Sequence, residues 1–331
     1  MNDFAYAVAS EGNHAVELAA AGGATFVAGG TELLNWLRLG IAAPERVVDI
    51  GRIAALRGIR EDGDTLWIGA LTTLSEVEAN ALVRDKAPAL AEACARAASP
   101  QIRNRATLGG NLLQKTRCAY FRVEEPMPWP CNKRKAGSGC AAMDGHHERH
   151  AIFGWTTECA ATQPSDPAVV LACLDAEIHV VGPQGRRTIS AADFHLSQDE
   201  AGNAQRETRL APGELISGYL VRGSAARRSA YVKVRERESY EYAMVSAAAA
   251  LVVERNVIRH ARIALGSVAQ KPWRLARTEA ELVGKSLQRN ALLDAVRMSM
   301  AEARPLACNE FKVRLATNAA VRAIEAAGRM Q

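Results

Sequence analysis

The sequence lacks the features that would carry it into or across a membrane by its own means. Its longest apolar run, residues 243–253, is much shorter than a membrane-spanning helix, which needs about 20 residues. The N-terminus, MNDFAYAVASEGNHA, has neither the basic start nor the apolar stretch of a signal peptide. We therefore expect no membrane segment and no export signal in the chain itself.

An excess of one charge is also missing. The 41 Lys and Arg residues outweigh the 36 Asp and Glu residues by a formal net charge of only +5, and the arginines are scattered along the chain. Proteins that bind nucleic acids usually cluster such charges in a patch or stripe, so nucleic-acid binding is not indicated. The length of 331 residues, with 48% hydrophobic and 23% charged residues, predicts a globular protein of two or three domains.

Motifs of self-sufficient catalysis are absent as well. The sequence contains no Ser–His–Asp arrangement, no acid–base pair of carboxylates and no nucleophile motif. It also lacks the G-x-G-x-x-G fingerprint, so a standard nicotinamide-binding fold is not supported. Such absences are typical of a subunit in which a bound cofactor performs the chemistry and the protein positions it.

Two diglycine segments stand out in what is present. In the first, VAGGTEL (27–33), a predicted strand runs into a predicted helix for which Thr31 is the expected N-cap. The second, TLGGN (107–111), offers similar chemistry further along the chain. Glycine lets a backbone approach a ligand closely, and free N–H groups at a helix start attract an anion. Each segment taken alone would be explained more simply as a tight turn.

The cysteines are concentrated in one irregular stretch that is rich in proline, glycine and charge. Four of the seven lie in the segment 114–163, at Cys118, Cys131, Cys140 and Cys159. An odd total argues against complete disulfide pairing. A loop of this length with few apolar residues needs something to order it, and four thiolates around one inorganic centre would do so.

The residues alone leave the identity of that centre open. Zinc suits four cysteines, but structural zinc sites usually use tight C-x₂₋₄-C pairs, whereas the gaps here are 12, 8 and 18 residues. Long gaps fit a [4Fe–4S] cluster better, since each of its corners needs one cysteine. Free or disulfide-bonded thiols are the third alternative.

Other polar residues of this stretch have two interpretations each. His146, His147 and His150 could replace a cysteine as a ligand, yet solvated loop histidines are the simpler interpretation. The run KRK at 133–135 could offset the charge of an anionic centre, or it could form an exposed basic loop. Three further cysteines are most simply small buried residues: Cys94, Cys173 and Cys308.

The order of the motifs resembles the flavin-binding subunits of the molybdenum hydroxylases, which include xanthine dehydrogenases, carbon monoxide dehydrogenases and aldehyde oxidoreductases. AGGT at 28–31, IRNRATLGGN at 102–111 and PSD at 164–166 stand in the family's order, and later matches extend over nearly the whole chain. The cysteine-bearing insertion resembles a subset of that family with an iron–sulfur insertion. That subset comprises the flavin subunits of benzoyl-type CoA reductases and, more closely, those of bacterial aromatic aldehyde oxidoreductases.

The resemblance implies an α+β fold with two domains. Residues 1–222 would form a two-part FAD-binding domain of the PCMH or vanillyl-alcohol-oxidase type, with subdomains at about 1–55 and 56–222 and an iron–sulfur insertion at 114–163. Residues 223–331 would form a smaller α+β domain with helices and a three-stranded antiparallel sheet, like the C-terminal domain of the carbon monoxide dehydrogenase flavoprotein.

The resemblance also implies a set of cofactor-binding residues. The two diglycine segments would wrap the FAD diphosphate and ribityl chain, Asp166 would accept hydrogen bonds from the adenine-side ribose or an adjoining part of FAD, and Lys233 would lie near the isoalloxazine edge. Arg103 and Arg105 are further candidates near phosphate. The FAD-binding set is Val27, Ala28, Gly29, Gly30, Thr31, Glu32, Leu33, Thr107, Gly109, Gly110, Asn111, Asp166 and Lys233. The [4Fe–4S] ligand set is Cys118, Cys131, Cys140 and Cys159.

By the same resemblance the chain is an electron-transfer subunit of a heterotrimeric aldehyde oxidoreductase, with aromatic aldehydes as the expected substrates. A large molybdenum-cofactor subunit would oxidise the substrate, and electrons would pass through a small [2Fe–2S] subunit to FAD and on to an external acceptor. No nucleic-acid or membrane partner is expected. The complex would work in the cytoplasm, or in the periplasm if a signal-bearing partner exports it.

Three alternatives remain. The first is the flavin and [4Fe–4S] subunit of a hydroxybenzoyl-CoA reductase-type enzyme. The second is a stand-alone flavin oxidase, in which His14 or His195 could carry covalently bound FAD. The third is a zinc-stapled binding module with no redox function.

Overall fold

A short parallel sheet forms the N-terminal part of the structure, a computed structural model that describes residues 2–20 and 22–329. The outer ends of the two predicted domains, residues 1, 330 and 331, lie outside these ranges. The elements of this part are β1 (Ala5–Val8), α1 (Gly12–Ala19), β2 (Ala24–Val27), α2 (Leu33–Arg38), β3 (Arg46–Asp49) and a 3₁₀ turn at Ala54–Leu56. Strand β3 lies between β1 and β2 and runs parallel to both, which requires the crossover helices α1 and α2.

The second unit is built on an antiparallel sheet in the order β4-β5-β8-β6-β7. Its buried strand residues, among them Ile68, Ile178 and Tyr219, form one core with apolar residues of the helices that cover the sheet. The strands are β4 (Ile59–Asp62), β5 (Thr65–Gly69), β6 (Glu177–Gly182), β7 (Gly185–Ser190) and β8 (Leu215–Arg222). The helices are α3 (Leu74–Ala79), α4 (Ala81–Lys86), α5 (Pro88–Arg96), α6 (Pro100–Arg103), α7 (Leu108–Leu112), α8 (Asp166–Cys173), α9 (Ala191–Phe194), α10 (Gln198–Ala201) and α11 (Gly223–Ala226).

The C-terminal unit packs helices on one face of a second antiparallel sheet. Its strands, in the order β12-β11-β10-β9, are β9 (Ser229–Val234), β10 (Val245–Glu254), β11 (Val257–Gly266) and β12 (Trp273–Arg274), and its helices are α12 (Ala276–Leu282), α13 (Arg289–Met300) and α14 (Phe311–Arg329). Helix α14 lies across β10, with small buried residues such as Ala316 and Ala320 in one core with Ala247 and Ala249 of the strand. Small side chains on both surfaces allow a close helix–sheet approach.

The predicted α+β class is confirmed, with one correction to the C-terminal sheet. This sheet has four strands rather than three, because Trp273 pairs with Leu265 and Arg274 with Ala264. A strand of two residues carries no alternating pattern that a sequence could reveal. The domain boundary near residue 222 stays a prediction. Within the described part of the chain, no helix combines the length and the apolar character that a bilayer crossing would need.

The insertion 114–163 joins α7 to α8 and contains no helix or strand among its described residues. Two isolated bridges order it locally, one between Cys131 and Cys140 and one between Thr156 and Cys159. Its last third is docked on the C-terminal unit, where Ile152 and Phe153 enter the core. The segment was expected to have few apolar residues, and these two of its last third are buried in the core of another unit, some of whose residues lie more than a hundred positions away in the sequence.

The start of α14 holds the insertion through buried polar groups. Lys312, which is fully buried, donates from Nζ to the carbonyl oxygens of His150 at 2.8 Å and Ser267 at 2.6 Å. Asn309 donates from Nδ2 to the carbonyls of His150 and Ala151, each at 3.2 Å. Burial lowers the pKa of Lys312 to about 7. These contacts satisfy backbone acceptors that an irregular, buried segment would otherwise leave unpaired.

The basic run 133–135 holds the other side of the insertion. Arg134 donates to the carbonyls of Phe121 and Val123 at 3.0 and 2.9 Å and to Leu39 at 3.2 Å, at the end of α2. Lys133 donates to Glu207 at 2.8 Å, and each of these two basic side chains is only 3% exposed. The interpretation as an exposed basic loop was wrong for both residues and fits only Lys135, which is exposed.

Candidate functional site

A cavity of about 650 Å³ lies where the N-terminal sheet meets the second unit. Both diglycine segments line it, and so does Asp166, so the structure brings the distant sequence motifs together. Lys233 is the one member of the predicted FAD-binding set that does not line the cavity. The lining members of the set are Val27, Ala28, Gly29, Gly30, Thr31, Glu32, Leu33, Thr107, Gly109, Gly110, Asn111 and Asp166.

The two glycines of the first segment serve different purposes. A Cβ on Gly29 would lie 1.9 Å from the carbonyl oxygen of Arg105, so this residue must be glycine for the first segment to lie against the backbone that leads into the second. Gly30 has a φ of +74°, which an L side chain would strain. The first glycine thus closes this contact, and the second makes the turn into α2.

The backbone N–H groups of the first segment are available to a ligand. Among the residues that the structure describes, the N–H groups of 29–33 have no hydrogen-bond partner. The expected N-cap at Thr31 was wrong, because α2 begins at Leu33 with Glu32 in the N-cap position and no side-chain cap. Because α2 begins later than expected, more backbone N–H groups of the turn before it are unpaired. Unpaired N–H groups at a helix start are the arrangement that binds anions.

The second diglycine segment is satisfied by the protein itself. Thr107 caps α7 by accepting a hydrogen bond from Gly110 N–H at 3.1 Å. Leu108 N–H donates to Thr72 at 2.9 Å, and Gly109 N–H donates to Ala70 at 2.9 Å. The expectation of free N–H groups was therefore wrong for this segment, which forms a wall of the cavity and is fastened by these bonds to the rest of the second unit.

A buried ion pair lies behind this wall. Ser165 donates from Oγ to Asn111 Oδ1 at 2.6 Å and caps α8, whose first residue is Asp166. The carboxylate of Asp166 accepts hydrogen bonds from Lys233 Nζ at 2.8 Å and Tyr231 Oη at 2.5 Å. Burial, with Asp166 beside it, raises the pKa of Tyr231. Lys233 therefore places a buried positive charge behind Asp166, which separates it from the cavity. It is not a solvated strand residue.

Sequence reasoning missed Tyr231 as the second partner of Asp166. The tyrosine lies in a strand whose pattern predicts only packing, and its hydroxyl carries no motif. The sequence feature that could have indicated Tyr231 is its position two residues before Lys233, since side chains at this spacing share one face of a strand.

Glu32 connects the first diglycine segment to the base of the insertion. Its carboxylate accepts hydrogen bonds from Trp36 Nε1 at 2.9 Å, from Arg117 at 2.9 Å and from Arg122. Burial alone would raise the pKa of Glu32, but Arg117 and Arg122 together hold it below its usual value. Arg117 also stacks over the ring of Tyr242 at 4.4 Å. Neither arginine was predicted, because both lie in an irregular segment with no periodicity.

The other candidate residues for FAD do not reach the cavity. Arg103 pairs with Glu78 at 2.9 Å, and the side chain of Arg105 is exposed, so neither lines the phosphate region. His14 contacts Ser10, and His195 is buried against the carbonyl of Leu112. Neither histidine lines the cavity, so the structure gives no support to a covalent attachment of FAD at these positions.

A second, smaller cavity is lined by the four cysteines of the insertion: Cys118, Cys131, Cys140 and Cys159. Burial raises the pKa of the Cys118 thiol to about 12 and that of Cys159 to about 11, so these thiols stay protonated at neutral pH unless a metal replaces the proton. The soft donor set fits an iron–sulfur cluster, and it also fits zinc. In the described ranges, no group of three or more His, Cys, Asp or Glu side chains forms a ready-made site for a metal ion.

The three remaining cysteines lie away from this cavity. Cys94 and Cys173 are fully buried in the core of the second unit, as expected, whereas Cys308 is exposed and does not fit the prediction of a buried residue.

The histidines of the insertion differ from one another. His146 is exposed, as expected, but His147 and His150 are buried. Both ring nitrogens of His147 have partners, the carbonyl of Ala142 at 2.9 Å and the N–H of Cys308 at 3.0 Å. His150 Nε2 lies 3.3 Å from Cys118 Sγ, and burial, with Lys312 nearby, lowers the pKa of His150 to about 4.

Comparison with known proteins identifies the family. Residues 2–219 match the FAD binding domain in molybdopterin dehydrogenase, and residues 230–327 match the CO dehydrogenase flavoprotein C-terminal domain. The chain is 40% identical over 295 residues to the aldehyde oxidoreductase FAD-binding subunit PaoB of Escherichia coli (strain K12), covering 89% of this chain and 88% of that one. The chain belongs to the FAD-binding medium subunits of the molybdenum hydroxylase family.

Two carbon monoxide dehydrogenase comparisons agree with this assignment. The medium chain from Hydrogenophaga pseudoflava is 29% identical over 283 residues, which are 85% of this chain and 80% of that one. A solved structure of the enzyme from the same organism, lacking the Mo-pyranopterin moiety of its cofactor, superposes with a TM-score of 0.76 at 28% identity. It covers 98% of this chain and 97% of its own. The protein is thus an oxidoreductase subunit of this family.

The contact between Gly29 and the backbone of Arg105 gives a first prediction. Gly29→Ala forces the two backbones apart, so the free energy of unfolding should fall by about 3 kcal/mol. Gly12→Ala is the matched control, because its Cβ would meet only Val181 at 3.7 Å in ordinary contact. That variant should stay within about 1 kcal/mol of wild type. Urea denaturation of both variants measures the difference, and equal stabilities would contradict the role given to Gly29.

Proposed function

We propose that this chain binds FAD in the large cavity, holds a [4Fe–4S] cluster in its insertion, and serves as the electron-transfer subunit of a molybdenum-containing aldehyde oxidoreductase. The observation that carries the proposal is the first diglycine segment, whose N–H groups at 29–33 have no partner among the described residues and which lines the cavity. Such an array of donors suits a diphosphate.

The rest of the cavity supports FAD over a smaller anion. Apolar residues line other parts of its wall, among them Ile50, Leu71 and Ile216, and such surfaces suit aromatic rings. Asp166 lies at the wall, where its carboxylate is held by Tyr231 and Lys233 and could accept a further hydrogen bond from a hydroxyl group. Lys233 contributes a positive charge behind Asp166, which favours electron density on a bound flavin. Bound FAD would supply the exchange of electrons, and these residues would bind and orient it.

The substrate class and the partners rest on the relatives. The relative with 40% identity is named an aldehyde oxidoreductase subunit, which supports an aldehyde as the substrate of the complex. Relatives named medium chains or medium subunits support partner chains. We infer a small [2Fe–2S] subunit and a large molybdenum-cofactor subunit in a heterotrimer, with aldehyde oxidation on the large subunit.

The cluster proposal rests on the four thiols that line the small cavity of the insertion. The insertion is anchored on both sides, by Arg134 at α2 and by Lys312 at α14, so the thiols are held in a fixed frame. Lys133 lines the same cavity and lowers the pKa of the Cys159 thiol against the effect of burial. A positive charge there favours thiolates and therefore metal binding.

A prediction for FAD uses two glycines with similar backbones. Gly30→Val strains a φ of +74° within the diglycine segment and turns its N–H groups away, so FAD affinity should fall about tenfold or more. Gly63→Val strains a similar φ of +56° in the β4–β5 hairpin, far from the cavity, and should keep full occupancy. The ratio of flavin to protein absorbance measures both. Equal occupancy in the two variants would contradict the diphosphate assignment.

A prediction for the cluster compares two cysteines. Cys131→Ala should remove about four irons per chain, since one corner of the cluster loses its ligand, while FAD is retained. Cys308→Ala, at an exposed thiol outside the cavity, should keep the iron. Elemental analysis of protein prepared anaerobically gives iron and zinc together. Stoichiometric zinc without iron in wild type would favour the zinc-stapled alternative.

A prediction for the complex concerns activity. The chain alone, loaded with FAD, should not oxidise aldehydes, whereas the complex purified with its companion subunits should do so with an artificial electron acceptor. Anaerobic addition of the aldehyde should bleach the flavin absorbance only in the complex. Aldehyde oxidation by the isolated chain would contradict the partner model and favour a stand-alone flavin oxidase.

A further inference from the structure

His150 lies next to a proposed cluster ligand rather than among the ligands themselves. Its Nε2 is 3.3 Å from Cys118 Sγ, and its ring lines the cavity that the four cysteines share. The side chain is buried, and the residue is only 6% exposed. The distance is that of a hydrogen bond to sulfur, which is longer than one to oxygen.

The surroundings of the ring decide which nitrogen carries the proton. Nδ1 has no partner among the described residues, so a proton there would be unsatisfied, and the lone pair of Nε2 would face a thiolate. A proton on Nε2 instead donates to Cys118, and only an acceptor is left unpaired. The second tautomer therefore costs less once Cys118 is deprotonated by a metal.

The main chain of His150 is fixed by the C-terminal unit. Its carbonyl accepts hydrogen bonds from Lys312 Nζ at 2.8 Å and Asn309 Nδ2 at 3.2 Å, and its N–H donates to His147 at 3.0 Å. The backbone is thereby held by side chains that lie more than 150 residues away in the sequence. This anchoring keeps the imidazole in one position relative to the sulfur.

We propose that His150 is a positioning residue that donates its Nε2–H to the Cys118 thiolate and thereby raises the reduction potential of the [4Fe–4S] cluster. A hydrogen bond to a ligand sulfur withdraws negative charge, which stabilises the more negative, reduced cluster over the oxidised one. The inference rests on the proposed function, since it requires the cluster. It extends that function by naming the residue that sets the potential.

The test is a reduction titration of the anaerobically prepared FAD- and iron-loaded chain, followed by the EPR signal of the reduced cluster. His150→Phe should keep about four irons and shift the midpoint to a lower potential. His150→Gln, which retains an N–H donor, should recover part of the shift. His146→Phe is the control, because that imidazole is 92% exposed, and its midpoint should equal that of wild type.

A second measurement needs no variant, in case substitutions at this buried position prevent folding. Wild-type protein with ¹⁵N-labelled histidine should give a weak nitrogen coupling in pulsed EPR, as expected for a hydrogen-bonded imidazole. A strong coupling would make His150 an iron ligand and overturn the proposal. So would an unchanged midpoint in His150→Phe with full iron content. Wild type without iron would instead contradict the cluster itself, and the two failures are thereby distinguished.

Discussion

The contact between the backbones of Gly29 and Arg105 is the constraint on which the functional site depends. The carbonyl oxygen of Arg105 occupies the position that any side chain at residue 29 would need, so the first diglycine segment touches the backbone just before the second without intervening atoms. This contact brings the end of a parallel strand against the start of α7, and the large cavity lies along the junction. Close packing of this kind leaves no slack, since even one added methyl group must displace backbone.

On the two sides of that contact, the two diglycine segments have different roles. The first leaves its N–H groups unpaired and faces a ligand, whereas the second uses its N–H groups to fasten itself to Ala70 and Thr72. Similar sequence motifs thus have opposite hydrogen-bonding roles. Glu32, in the first segment, forms an ion pair with Arg117 of the insertion, and Arg117 is the residue next to Cys118. This ion pair fixes the first segment relative to the insertion. The proposed flavin and cluster sites are consequently neighbours in the frame of the protein.

Buried charges hold this frame together. Asp166 with Lys233, Glu32 with its arginines, and Lys312 on two carbonyls all lie at joints between separate parts of the chain. A buried ion pair contributes little net stability, because desolvation offsets the attraction between the charges, yet removing one partner is costly. Such groups therefore specify which surfaces meet, and here they fix the insertion and the C-terminal unit against the cavity.

The sequence by itself determined the α+β class, the positions of most strands and helices, and the motifs that line the cavity, because these follow from local periodicity and from glycine chemistry. It also singled out the four cysteines that share one cavity. Only the tertiary structure decided the late start of α2 at Leu33, the two-residue strand β12, the pairing of Asp166 with Tyr231 and the burial of His150. The physical reason is the same in each case. Those features depend on contacts between residues that are far apart in the chain. Such contacts stabilise the structure without producing a periodic pattern in the sequence around the residues that make them.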